Sequence, residues 1–299
     1  MSGTTPTRPF GAVAVAMVTP FDEHGGLDLG AAQKLATHLV DAGCEALIIS
    51  GTTGESPTTT DDEKESLLRA VLEAVGSRAK VVAGVGTNDT THSIELARHA
   101  AKTGVHGLLA VTPYYSKPPQ DGLLAHFTAI ADATDLPVML YDIPGRTGVP
   151  ITTDTLVRLA EHPRIVAVKD AKDDLYEGAR VLARTDLAYY CGSDALNLPW
   201  LALGAAGMVS VIGHVATPQL AHLVRFVDDG DLAGARGVND RLLPVVRGIM
   251  TRTQGAIMAK AALQLAGVLP HRTLRLPLVA ASDEQVALLR ADLEEANLL

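Results

Sequence analysis

The feature that most constrains the fold is a rhythm: short apolar runs recur roughly 25 to 35 residues apart, and the stretches between them carry helical spacing. The runs lie at 12–18, 46–50, 81–85, 107–111, 138–141, 165–169, 188–191 and 208–212. They are continuous rather than alternating, which suits parallel strands covered on both faces. Helix starts fall between them: Asp28 before an apolar-periodic run to Val40, Thr60 with Glu63 before Leu67 and Leu68, and Thr153 before Leu156 and Leu159. Eight strand-helix units close naturally into a (β/α)₈ TIM barrel, with an open doubly wound sheet as the alternative. Past Thr217 the pattern stays helical, with segments near 219–227, 232–250, 256–265 and 283–296. The expected division is therefore a barrel over 1–220 and a C-terminal helical extension over 221–299, packed on the barrel because no low-complexity linker separates them.

Composition narrows the class of function. The 299 residues are 47% hydrophobic and 20% charged, which is ordinary for a chain that buries a large core. A net charge of -9 with no local cluster of Lys and Arg argues against a nucleic-acid or anionic-membrane surface and points to small molecules or further copies of the chain as partners. Cys44 and Cys191 stand far apart without a C-x-x-C spacing, which fits a reducing compartment. With no basic leader and no run of eighteen apolar residues, a cytoplasmic protein is the expectation.

In a TIM barrel the chemistry lies at the C-terminal ends of the strands, and those ends are polar here. The run at 165–169 ends on Lys169 and Asp170. An amine in poorly solvated surroundings gives up its proton more readily and can then attack a carbonyl, so Lys169 is a candidate Schiff-base nucleophile; a strand-end lysine snorkelling to water is the plainer alternative. Tyr141, one strand earlier, is placed to shuttle protons, or equally to fill the barrel as a core aromatic. The turn at 51–54 brings two threonine hydroxyls and several backbone N–H groups together as a cradle for a small carboxylate, although Gly and Thr are also ordinary loop residues. Arg146, in a turn bracketed by Pro144 and Gly148, is shaped to aim a guanidinium at a carboxylate, or is a surface arginine.

Other chemistries lack their signatures. There is no G-x-x-x-x-G-K-[ST] loop, no third glycine after Gly84 and Gly86, no H-E-x-x-H, and no G-x-S-x-G around Ser50 or Ser56. A nucleotide, a metal or a serine nucleophile is not expected.

Five motifs together resemble the pyruvate-dependent aldolase and lyase family, and most its dihydrodipicolinate synthase branch: GTTGES at 51–56, TPYY at 112–115, LYDIPGRTG at 140–148, VKDA at 168–171 and GMVSV at 207–211. The resemblance runs from about Gly11 to Leu299. It implies a TIM barrel assembled as a homotetramer, a dimer of dimers, and no cofactor beyond a covalent imine of Lys169 with pyruvate. The substrates it implies are pyruvate and L-aspartate 4-semialdehyde, and the pathway that of lysine and diaminopimelate. It gives Tyr141 the proton transfers, Thr52 and Tyr115 a proton relay in which Tyr115 enters the neighbouring subunit's site, Thr53 and the Val209 backbone the pyruvyl carboxylate, and Arg146 the carboxylate of the aldehyde.

Arg146 favours the synthase over the alternative in the same family, a lyase or aldolase acting on a 2-keto-3-deoxy acid or on N-acetylneuraminate. A barrel that keeps its fold only to bind a ligand is the reading from outside enzymology, and the intact set of Lys169, Tyr141, Thr52 and Tyr115 speaks against it. The chain departs from the family pattern at Asp170, where many members carry Glu, and at Ser193, where an acidic residue is common. It also departs where feedback-inhibited members bind lysine, since Asp61, Lys64 and His92 replace two histidines and a glutamate. Weak or absent lysine inhibition is the expectation.

Overall fold

The computed structural model describes residues 6–299. Eight strands, β1 (Val13–Ala16), β2 (Ala46–Ile49), β3 (Lys80–Gly84), β4 (Gly107–Val111), β5 (Val138–Asp142), β6 (Ile165–Asp170), β7 (Ala188–Cys191) and β8 (Gly207–Ser210), pair in parallel with their chain neighbours, and β8 closes on β1. Each apolar run read from the sequence is one of these strands. The TIM barrel is the observed fold, and the open sheet is excluded by the pairing of Val13, Ala14 and Val15 with Met208, Val209 and Ser210.

The returning helices are α1 (Leu29–Asp41), α2 (Asp61–Val75), α3 (Thr90–Thr103), α4 (Gln120–Asp132), α5 (Pro144–Thr147), α6 (Thr153–Leu159), α7 (Leu175–Leu182), α8 (Asn197–Ala202) and α9 (Gly213–Asp228). Their starts follow the expected chemistry. Asp28 accepts from the Ala31 N–H at 2.9 Å, and Thr60 and Glu63 form a reciprocal capping box. At α6 the cap is one residue earlier than the sequence suggested: Thr152 is the extended residue whose hydroxyl accepts from Thr155 N, and Thr153 is the first helical residue.

The extension comprises α10 (Leu232–Val246), α11 (Gly255–Leu265) and α12 (Asp283–Glu295). The expected continuous helix over 232–250 ends early, because after Pro244 the chain loosens into a π-helical turn over Arg247–Thr251. Proline supplies no N–H and its ring crowds the preceding turn, and the regular helix gives way two residues past it. Asp292 of α12 holds that turn through Arg247 and Arg252, at 2.7 and 2.6 Å. The eighth barrel helix, α9, bends at Ala216, just before Pro218, and runs unbroken through residues 220–221.

Two apolar layers follow from the alternation of the strands. The larger lies between the barrel wall and the helices; the smaller fills the barrel with Ala14, Ala16, Ile48, Val82, Leu109, Met139, Ala167 and Val209 above Phe10, which plugs the floor. Tyr190 completes the floor, its hydroxyl accepting from Phe10 N at 3.1 Å and donating to Gly11 O at 3.0 Å. In β6 the alternation is interrupted. Val138 pairs with Ile165 but Met139 pairs with Ala167, so Val166 is an extra residue, packed towards the interior beside Ala167. Beyond this bulge Lys169 lies opposite Tyr141, and Asp170 opposite Asp142.

Candidate active site

The C-terminal mouth of the barrel gathers most, but not all, of the residues singled out from the sequence. Lys169 and Tyr141 are both 5% exposed, and the Lys169 Nζ stands 4.1 Å from the centroid of the Tyr141 ring. At that distance the amine head packs against the face of the aromatic ring. Gly192, at the end of β7, gives the stem its room: a Cβ there would lie 3.1 Å from Lys169 Cε and 2.8 Å from the Asp170 carbonyl oxygen. Neither neighbour can yield freely, so the position accepts only glycine without moving the lysine.

Thr52 and Thr53 leave β2 in a tight turn whose Glu55 N–H donates to Thr52 O at 3.1 Å, with Ser50 and Glu55 both in the left-handed region at φ 58° and 55°. The Thr19 hydroxyl clips the turn to β1 by donating to Gly54 O at 2.6 Å. Thr53 is buried and Thr52 half-buried. Among the described residues no hydrogen bond joins Thr52 to Tyr141, so the hydroxyl chain drawn from the family resemblance is not formed within this one chain. Val209 faces the interior, paired with Ala14 across the β8–β1 seam. Its exit is held by Asp194, which accepts from the Ser210 hydroxyl at 2.6 Å and from Val211 N and Ile212 N at 2.8 and 3.0 Å.

Two residues stand apart. Tyr115, after β4, is 90% exposed with φ 73°. Arg146 lies on the exposed side of α5, the single helical turn that follows β5.

Asp142 and Asp170, polar residues at the ends of β5 and β6, point away from the barrel interior. The alternation that turns Tyr141 and Lys169 inward turns both carboxylates outward under the helices, where each is fully buried. Lys172 bridges them, its Nζ 3.0 Å from Asp142 and 3.6 Å from Asp170. The Tyr189 hydroxyl donates to Asp170, and Asp142 accepts from Ile151 N at 3.1 Å. One Asp142 oxygen has no partner. Burial, reinforced by the Asp170 charge and only partly offset by Lys172, pushes Asp142 from its ordinary 3.8 up to about 6.

The fold and this mouth define a class: a TIM-barrel enzyme with a buried lysine and tyrosine packed together at the catalytic end. The chain belongs to the dihydrodipicolinate synthetase family, whose family model matches residues 9–296. It is 64% identical over 293 residues to the 4-hydroxy-tetrahydrodipicolinate synthase of Kineococcus radiotolerans, covering 98% of this chain and 95% of that one. Among solved structures, the enzyme from Cyanidioschyzon merolae with lysine bound superposes with a TM-score of 0.95 at 44% identity, over 98% of this chain and 100% of that one. The chloride-inhibited enzyme from Acinetobacter baumannii complexed with pyruvate superposes with a TM-score of 0.93 at 33% identity, over 97% and 100%.

Gly192→Ala should lower stability by about 1–3 kcal/mol and change the accessibility of Lys169, read as a shifted urea midpoint and an altered rate of amine labelling at that residue. Labelling at the parental rate in a fully folded variant would show that the glycine does not set the lysine.

Asp142 generates a pH prediction. Its folded value lies above its unfolded one, so its contribution to stability is full below about 3.8 and is lost as the pH rises through about 6. Asp142→Asn lacks that loss, and its stability relative to the parent should improve by on the order of 2 kcal/mol between pH 4 and pH 7. A difference independent of pH in urea titrations would contradict the raised value.

Proposed function

We propose that the protein condenses pyruvate with L-aspartate 4-semialdehyde to give 4-hydroxy-tetrahydrodipicolinate, the product for which its relatives are named, through an imine on Lys169. The observation that carries the reading is the buried Lys169 amine against Tyr141 at the barrel mouth, in a chain matched by the family almost end to end. The Lys169 amine attacks the pyruvate ketone and water leaves, giving an iminium. Its positive charge acidifies the neighbouring methyl group, and loss of one proton leaves an enamine carbon nucleophile. That carbon attacks the aldehyde, whose oxygen takes up a proton. The amine of the bound adduct then attacks the imine carbon, displaces Lys169 and closes the ring. No cofactor enters the scheme.

Tyr141 and Thr52 would handle the protons, which neutral hydroxyls can do without a fixed charge competing with the iminium. Thr53 and the Val209 backbone would hold the pyruvyl carboxylate. Arg146, exposed on α5 rather than inside the barrel, would bind the carboxylate of the second substrate, which favours this aldehyde over a sugar acid. Tyr115 would complete the relay of a neighbouring copy, a role its almost fully exposed ring leaves it free to take. We read the assembly as a homotetramer on that ground, although a similar structure at 39% identity is described as a monomeric variant, so the fold alone does not dictate the count. Two unpaired cysteines, both buried, suit a cytoplasmic location.

A coupled assay with both substrates should show turnover that Lys169→Ala abolishes, together with the borohydride-trapped pyruvate adduct. An adduct that persists in the variant would remove Lys169 from the role of nucleophile. Turnover with another aldehyde but not with L-aspartate 4-semialdehyde would replace the second substrate.

The positions used for feedback by lysine in other members are already occupied by one another: Lys64 donates to Thr59 O at 2.7 Å and lies 3.3 Å from Asp61, which meets His92 at 2.9 Å. A cation at that place repels the effector's own ammonium. Free lysine at millimolar concentration should leave turnover nearly unchanged; steep inhibition below that range would show that the substituted site still binds it.

A further inference from the structure

The C-terminal extension reaches the β2 exit turn through a buried ion pair. Helix α11 is apolar and almost wholly buried, yet Lys260 stands in its middle at 1% exposure. Its Nζ lies 2.6 Å from Glu55 Oε1 and 2.7 Å from Thr273 O, over the face of Phe21 at 4.2 Å. Glu55 is equally enclosed, and its second oxygen accepts from Arg275 N at 3.0 Å. Arg275 then grips the far side of the turn, donating to Thr58 O at 2.9 Å, to Gly25 O at 2.8 Å and to both oxygens of Glu63 at 2.7 Å.

Stability alone is a poor reason for such a pair, because two apolar side chains of the same volume often serve a core as well or better. What an apolar pair lacks is direction. Glu55 is a non-glycine residue in the left-handed region, two positions after Thr53, and its own N–H closes the turn onto Thr52 O. That conformation persists only where its surroundings hold it. The carboxylate, anchored at both oxygens by groups from α11 and the segment after it, supplies that hold.

We infer that Glu55 is a positioning residue for the Thr52–Thr53 turn, and that Lys260 is the means by which the C-terminal extension contributes to pyruvate binding at the barrel mouth. The inference rests on the reading of that turn as the pyruvate cradle. It assigns the extension a part in the reaction rather than in packing only.

Three variants test it, with Michaelis constants for pyruvate, kcat and the rate of borohydride trapping at Lys169 as readouts, and circular dichroism to establish folding. Glu55→Gln keeps the shape and removes the charge. Glu55→Leu combined with Lys260→Met removes both charges, so no unpaired ion is left buried and the fold is retained. Both should raise the KM for pyruvate at least tenfold and slow trapping, with kcat at saturating pyruvate changed far less. Folded variants with parental KM and trapping rates, whatever their thermal stability, would overturn the proposal and leave the pair a structural one. Thr53→Val is the control for the underlying reading: a raised KM there with no effect of the Glu55 variants refutes the positioning role alone, whereas an unchanged KM there removes the cradle and the proposal with it.

Discussion

Because β6 carries one residue more than β5 between their first two pairs, everything beyond Val166 is turned over relative to an unbroken strand, and the mouth of the barrel depends on that inversion. Lys169 faces the interior and meets Tyr141, while Asp170 faces the helices and meets Asp142, Tyr189 and Lys172. Without the extra residue, the same six-residue segment would present a carboxylate to the interior and bury the amine under the helical layer. Two neighbouring residues of opposite charge are thus sorted to opposite faces by backbone geometry.

That sorting has an electrostatic consequence. The carboxylates that end β5 and β6, Asp142 and Asp170, are kept on the far side of the wall, with Lys172 between them. The interior side then presents the Lys169 amine against the Tyr141 ring, an environment in which a positive charge is not cancelled by either of these carboxylates. The arrangement also leaves Asp142 poorly solvated, with one oxygen unpartnered, so a buried acid in the wall is the structural cost of the clean interior.

The sequence announces the barrel plainly, since strands buried on two faces must be continuous apolar runs, and each of the eight became a strand. Lys169, Tyr141, Thr52 and Thr53 stand out in the sequence for a related reason: strand ends are where polar residues abruptly follow apolar ones, whereas Val209, inside the apolar run of β8, was named only by the family resemblance. Facing was not legible at Asp142 and Asp170. A bulge leaves no mark in a run such as Ile165–Asp170, where Val166 and Ala167 are both apolar and either parity reads equally well. Nor was the partner of Glu55, which is 205 positions away and defined only by tertiary packing. One signal was available and passed over: a single lysine in the apolar helix GAIMAKAALQL, where a charge is tolerated only with a partner.

The extension and the barrel therefore meet through more than apolar contact. A helix laid against a barrel by hydrophobic burial alone is free to slide by fractions of an ångström at little cost, because dispersion and hydration carry no direction. A charge pair with every oxygen and the amine engaged has one satisfactory geometry, and a displacement strands an ion in a medium that does not solvate it. Burial pulls Lys260 down to about 8 even with Glu55 beside it, so the pair is held against a substantial desolvation penalty. Set beside the Thr19 hydroxyl on Gly54 and the Arg275 grip on Thr58, it braces the β2 turn from several sides, although that turn contains two left-handed non-glycine residues. A turn in an unfavourable backbone conformation keeps its shape only if the bracing is rigid and directional, and in this chain the buried carboxylate of Glu55 ties that turn to the extension at both oxygens.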